Sequence, residues 1–281
     1  MTEQAPSYTR ASDLPLFERP PVTEVSMGVS FEGIKVRAID LGELRRRFVK
    51  THPVVEEHPP VPLQVERFGR AARPGIEFQF MDFPPIPMVV FLAEDRSSLI
   101  QVQGDRFHCA WRRVQDETPY PRYESFRRDF LANLQAFCAQ IGHDELPITQ
   151  AEINYVNDMP TDGTERPDTL ANLLPLSGRN RGNAVSVLPE ISMVSTSQHF
   201  TMKSGEGVEY ARLHIAGEPL AANPDTVRLT FTYRGEPGGR TSGASMLEMI
   251  MGFLDEGHDQ IVRSFAVNTT AEAQKNWGRA Q

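Results

Sequence analysis

Leu99-Ile100-Gln101-Val102-Gln103-Gly104-Asp105-Arg106-Phe107-His108-Cys109-Ala110-Trp111-Arg112 is the stretch whose reading decides the fold. Gly104-Asp105 separates two runs of β-forming residues, and a two-residue loop of this kind predicts a tight hairpin. The loop sets the register: Gln103 opposite Arg106, Val102 opposite Phe107, Gln101 opposite His108, Ile100 opposite Cys109. Partners across a strand pair share a face. One face therefore carries Ile100, Val102, Phe107, Cys109 and Trp111, all apolar. The other carries Gln101, Gln103, Arg106, His108 and Arg112, all polar. A slip of one residue would mix the two sets. The consequence is an antiparallel sheet with one face in the core.

Working back toward the N-terminus, Val25, Met27, Val29 and Phe31 alternate with Glu24, Ser26, Gly28 and Ser30, the period of a strand with one buried face. Asp40, with Glu43 three residues on, is read as the cap of a helix whose apolar side is Leu41, Leu44 and Phe48. His52-Pro53 bounds it, since a residue before proline is pushed out of the α region. The proline-rich stretch 53–87 gives only one strand signal, Ile76, Phe78 and Phe80. Residues 1–20 are polar and proline-bearing and read as a flexible lead-in. After the hairpin, Phe126, Phe130, Leu134, Phe137 and Ile141 recur at helical spacing, and Gly142 is a fitting stop.

The chain then begins again. Residues 151–156 read as a strand and Thr169 to Leu174 as a short helix. Further strands are expected at Met193–Met202, Tyr210–Ile215 and Val227–Tyr233. A Gly-rich link, 235–243, leads to a long helix capped by Ser245 with Glu248, its stripe formed by Leu247, Ile250, Phe253, Leu254, Ile261, Val262 and Phe265. Thr269 with Glu272 opens a last short helix. Both halves, 21–145 and 146–281, thus read strand, helix, strands, long helix. The expected class is α+β, with antiparallel sheets each packed by a long helix, and the order of elements points to a structural duplication.

Two cysteines, Cys109 and Cys138, sit in apolar-patterned segments, where free cysteine behaves as a small hydrophobe, and do not make a disulfide framework. No apolar run approaches the roughly 20 residues that cross a bilayer. No apolar segment of a signal peptide begins the chain. The expected location is the cytoplasm, without membrane attachment. A net charge of −8 disfavours nucleic-acid binding, which draws its affinity from Lys and Arg neutralising phosphates.

Six phrases carry a resemblance: Pro20-Pro21-Val22-Thr23-Glu24-Val25, the hairpin from Leu99 to Phe107, Trp111-Arg112, Tyr120-Pro121-Arg122-Tyr123-Glu124, Ile153-Asn154-Tyr155-Val156-Asn157 and Trp277-Gly278-Arg279. In them the chain resembles an uncharacterised, sporadically distributed prokaryotic protein family of unknown function. The phrases span most of the chain in order. Cys109-Ala110 precede Trp111 where that family tends to have asparagine. The resemblance implies homology without supplying catalytic residues.

The polar hairpin face, Gln101, Gln103, Arg106, His108 and Arg112, is the first binding candidate, because glutamine is an unremarkable strand former and an odd choice for a merely solvated surface. The second is an anion site at the Gly-rich link, with Arg234, Gly238, Gly239, Arg240 and Ser245 around a helix N-terminus. The link lacks the lysine and spacing of a phosphate loop. His52, Glu56, Glu57 and His58 are clustered but lie among prolines, so no metal site is expected; no cofactor is expected either. Asp255, His258 and Asp259 are read as the exposed side of the last long helix. Nucleophile-elbow, zinc-protease, dinucleotide and Cys-x-x-Cys motifs are absent. The leading expectation is a non-catalytic binding protein that uses the polar sheet face for a protein or small-molecule partner; a homo-oligomer is compatible with it. The alternative is a small-ligand receptor, or an enzyme without motifs, using a cleft between sheet and helix with Arg106, His108 and Glu24 or Glu152. Nucleic-acid binding is the third reading.

Overall fold

The computed structural model describes residues 8–69, 86–143, 145–160, 195–220, 223–239 and 244–280. Within them the chain runs β1 (Val22–Phe31), α1 (Ala38–Phe48), β2 (Val54–His58), β3 (Met88–Leu92), β4 (Ser98–Gln103), β5 (Arg106–Arg112), α2 (Arg122–Ile141), β6 (Ile148–Pro160), β7 (Thr196–Lys203), β8 (Glu209–Leu220), β9 (Asn223–Gly235), α3 (Met246–Val267) and α4 (Ala271–Asn276). The expected strand at 76–80 and the short helix at 169–174 lie outside the described residues.

The hairpin of β4 and β5 has the register read from the sequence, from Gln103 opposite Arg106 to Ile100 opposite Cys109. Its strands belong to one antiparallel sheet in the order β2-β3-β4-β5-β1-β6-β9-β8-β7. The two halves share this sheet, joined where β1 pairs with β6. The apolar face is continuous across it. Ile100, Val102 and Phe107 are buried with Met27, Val29, Ile153, Leu229, Phe231 and Tyr233.

Three helices cover that face. Phe48 of α1 packs on Phe91 at 5.7 Å between ring centroids, and Phe137 of α2 on Phe107 at 4.7 Å. Phe253 of α3 packs on Tyr233 at 5.0 Å. At Gly257 the helix comes so close to the sheet that an added Cβ would stand 2.7 Å from Ile153 Cγ2, so only glycine permits this approach.

Three expectations need correction. Asp40 is not the first cap of α1: the helix begins at Ala38, and the Asp40 carboxylate accepts from the Arg37 N–H at 2.8 Å from inside the first turn. The last cap is Thr270 rather than Thr269, which instead donates back to the Phe265 carbonyl. The lead-in, from Tyr8 on, packs against the protein. Leu14 and Phe17 are buried, Phe17 stacks edge-on to Phe265, and residues 16–19 hydrogen-bond with 277–280. Two apolar side chains set among prolines, Leu14 and Phe17, anchor a segment whose composition alone reads as flexible.

Candidate functional site

The polar hairpin face is occupied by the chain itself. Residues 59–69 cross it in an extended path, held by side chains that bind their backbone. Gln103 accepts from the Val61 N–H and donates to the Val61 carbonyl, at 3.1 and 3.0 Å. Gln150 does the same for the Glu66 N–H and the Gln64 carbonyl, at 2.8 and 2.9 Å. Arg106, forked on Asp105, reaches the Pro62 carbonyl. At the far side Glu66 is clasped by Arg212 and by His214, the latter at 2.8 Å. A proline-bearing segment cannot enter a strand ladder, yet its backbone polar groups need partners, and side-chain amides supply both donor and acceptor. This explains glutamine on the face. It also corrects the expectation of an open surface, since Gln103 and Arg106 are buried. Gln101 is half-buried between Val90 and His108.

His108 lies flat across β1. A Cβ on Gly28 would fall 2.4 Å from its ring, so glycine makes room for the imidazole to approach Glu152, 3.6 Å away. Burial pushes the His108 ring below its ordinary value. Glu152 is itself paired with Arg234 at 2.6 Å. That pairing removes Arg234 from the expected anion site. Ser245 is taken as well, in a reciprocal cap with Glu248. Gly238 and Gly239 lie in a single 3-10 turn, and Arg240 is outside the described residues. The helix N-terminus is satisfied by its own chain.

A different constellation stands on the helix side of the sheet, and it overturns the reading of Asp255, His258 and Asp259 as solvent-facing. His258 is only 7% exposed. Its ring stacks on Tyr123, centroids 3.7 Å apart and 4° from parallel, and its Nδ1 lies 2.9 Å from the Tyr155 hydroxyl. The Tyr120 hydroxyl donates in turn to Tyr155 at 3.4 Å. A neutral ring that accepts from Tyr155 at Nδ1 carries its proton on Nε2. Asp255 receives the Tyr123 hydroxyl at 2.7 Å and both arms of Arg127, at 2.6 and 2.9 Å, tying α2 to α3. Asp259 accepts from Tyr8 of the lead-in at 2.8 Å.

Of these groups, Tyr120, Tyr123, Tyr155 and His258 border a cavity of about 100 Å³ between the lead-in, α2, α3 and β6. Leu16, Phe17, Val22, Ile261, Val262 and Phe265 give it apolar walls, Tyr155, Asn157 and His258 are among its polar groups, and Arg10, Arg122 and Glu124 are its charged ones. Alternation along β6 puts Tyr155 and Asn157 on this face. His258 falls four residues after Leu254 and three before Ile261, inside the apolar stripe. That position was the available signal, and the residue's polarity concealed it. Arg10 and Arg122 hold the outer wall in place through the carbonyls of residues 14, 15, 17 and 18. Arg122 does so from a left-handed backbone, φ +51°, a strained conformation for any residue but glycine.

Burial, helped by the charge of Arg10, pushes His258 down to about 3. Burial pushes Tyr120 up to about 12, and Tyr155 is raised too. All three are neutral at pH 7. The folded state thus binds fewer protons than the unfolded chain below the ordinary histidine value of 6.5, and stability falls as pH drops through that point toward 3. From pH 7 to pH 5 this one ring is expected to cost about 2 kcal/mol. Urea denaturation at the two pH values checks it: His258→Gln should lose that part of the pH dependence, and an unchanged dependence would mean that the ring is not held neutral.

Among the described residues, no group of three or more His, Cys, Asp or Glu side chains is placed to hold a metal ion, and no helix is long and apolar enough to cross a membrane. Comparison of the chain with protein-family models, with curated proteins and with solved structures finds no match.

Proposed function

We propose that the protein is a small-molecule receptor, and that the helix-side cavity takes a compact, mostly apolar ligand bearing one hydrogen-bonding group. The observation that carries this reading is the neutral His258–Tyr155 pair at the wall of an otherwise apolar cavity. Apolar walls with a few convergent polar groups are the usual composition of a ligand site. The cavity, about 100 Å³, is on the scale of the ~150 Å³ apolar void that accommodates benzene. The two cations that border it, Arg10 and Arg122, hold backbone carbonyls, so an anionic ligand would find no free partner there.

Two further observations support it. Four separate sequence segments meet around this cavity. They contribute Pro20 and Val22, then Tyr120, Arg122 and Tyr123, then Tyr155 and Asn157, while Trp277-Gly278-Arg279 pairs with the lead-in that forms its outer wall. The left-handed Arg122 places backbone strain at the same wall, where strain often accompanies a functional role.

The test is a thermal-shift titration with phenol, indole and benzyl alcohol. Wild type is expected to be stabilised saturably by at least one, and Val262→Trp, which fills the cavity, to lose the response while folding normally. No stabilisation, or an equal response in Val262→Trp, contradicts the reading.

The halves are best explained as a duplication. The sheet order runs outward from the central β1–β6 pair in matching fashion, and Glu24 stands opposite Arg112 as Glu152 stands opposite Arg234. The two buried thiols, neither of them in a disulfide among the described residues, favour a reducing cytoplasm.

A further inference from the structure

The polar face is open at the end away from residues 59–69. There a cleft of about 360 Å³ is bordered by Glu24, Arg112, Arg113, Asp116, Asp158 and Arg228. This is the volume of a small-ligand pocket. One pair in it is closed: Arg228 forks onto Asp158 with both contacts at 2.8 Å. The remaining charges are not.

Glu24 stands opposite Arg112 in the β1–β5 register, as Glu152 stands opposite Arg234 in the β6–β9 register. Glu152 and Arg234 meet at 2.6 Å. Glu24 and Arg112 do not: Arg112 turns its Nε to the Arg96 carbonyl instead, and Glu24 has neither a hydrogen bond nor an ion pair among the described residues. Arg113, the next residue, buries its Nε–H without a hydrogen-bond partner among the described residues. A buried donor left unpaired is rare enough to need an explanation. Burial pushes the Glu24 carboxyl up, against the pull of Arg112 and Arg228, as expected of an acid with no close partner.

We propose that this cleft binds a small zwitterion, an α-amino acid or a dipeptide, with its ammonium on Glu24 and its carboxylate on Arg112 and Arg113. A simple anion would bring negative charge up to Glu24, and a simple cation would face the guanidinium groups of Arg112 and Arg113 without a counter-charge for them. A zwitterion satisfies both, and arginine's planar fork suits a carboxylate. The site lies on the opposite face from the helix-side cavity and does not depend on it.

Isothermal titration calorimetry of the full chain at physiological salt, with glutamate, leucine and diglycine against their N-acetyl and C-amide derivatives, tests it. At least one unmodified compound should bind saturably, and blocking either end should weaken it by about tenfold or more. Glu24→Gln should weaken binding of the unmodified compound by a similar factor with an unchanged melting temperature, and Arg113→Gln serves as the second variant should the first misfold. Absence of binding at millimolar concentrations overturns the proposal. So does equal binding of the N-acetyl derivatives, which would mark a plain anion site, or unaltered affinity in folded Glu24→Gln and Arg113→Gln.

Discussion

Asp255→Ala is expected to destabilise the protein by about 3–5 kcal/mol, the cost typical of removing one member of a buried ion pair. The carboxylate receives three hydrogen bonds, from Tyr123 and from two nitrogens of Arg127, and the Arg127 side chain is only 7% exposed. Truncation leaves that guanidinium buried without a counter-charge and the Tyr123 hydroxyl without an acceptor. The loss therefore exceeds what the pair itself contributes, because two charges brought together out of water repay little more than their desolvation. The double replacement Arg127→Met with Asp255→Leu should recover most of the stability, since no uncompensated charge remains. Chemical denaturation of the three proteins checks this. If Asp255→Ala costs no more than a surface substitution, then α2 and α3 are not joined as described.

Phe107→Ala is expected to cost about 3–5 kcal/mol as well, through lost transfer energy and the cavity left behind. Phe107 is fully buried in the hairpin and packs on Phe130 and Phe137 of α2. On the opposite face, Gln150→Ala should cost roughly 1–3 kcal/mol, because it leaves a backbone N–H and a carbonyl of residues 64–66 without their partners. Its amides at 61–68 should then exchange faster while those of β4 and β5 keep their protection. Equal tolerance of Phe107→Ala and Gln150→Ala would refute the assignment of the two faces.

The hairpin was legible because three local signals agree there: the turn dipeptide, the alternation and the sorting of most side chains by polarity, with Leu99 and Ala110 the exceptions on the polar face. The long helices were legible from their apolar stripes, although His258 interrupts the stripe of α3 and Arg127 that of α2. What resisted reading depends on partners distant in sequence. Residues 59–69 have no period of their own, and their path is set by Gln103, Gln150, Arg212 and His214, up to nearly 150 positions away. Phe17 finds its place only against Phe265 and Trp277, at the other end of the chain. β2 and β3 were missed because five residues are too few to display a period.

The candidate site shows the same division. Arg112 was singled out and does border an open cleft, whereas Gln103 and Arg106, equally polar, are spent on the chain's own backbone. His258, Asp255 and Asp259 were discounted on their polarity. A helix face that buries one histidine and one ion pair among apolar residues looks amphipathic in the wrong direction unless position in the stripe is weighed before residue type.

The helix-side cavity is most directly tested at the His258 ring itself. Nitrogen-detected imidazole correlations at pH 6, recorded while phenol is added, report its tautomer and its surroundings together. A neutral ring with its proton on Nε2, whose resonances shift saturably with phenol while those of His214 stay fixed, is the expected result. A His258 ring that is protonated at pH 6, or unmoved when phenol binds, would contradict the account.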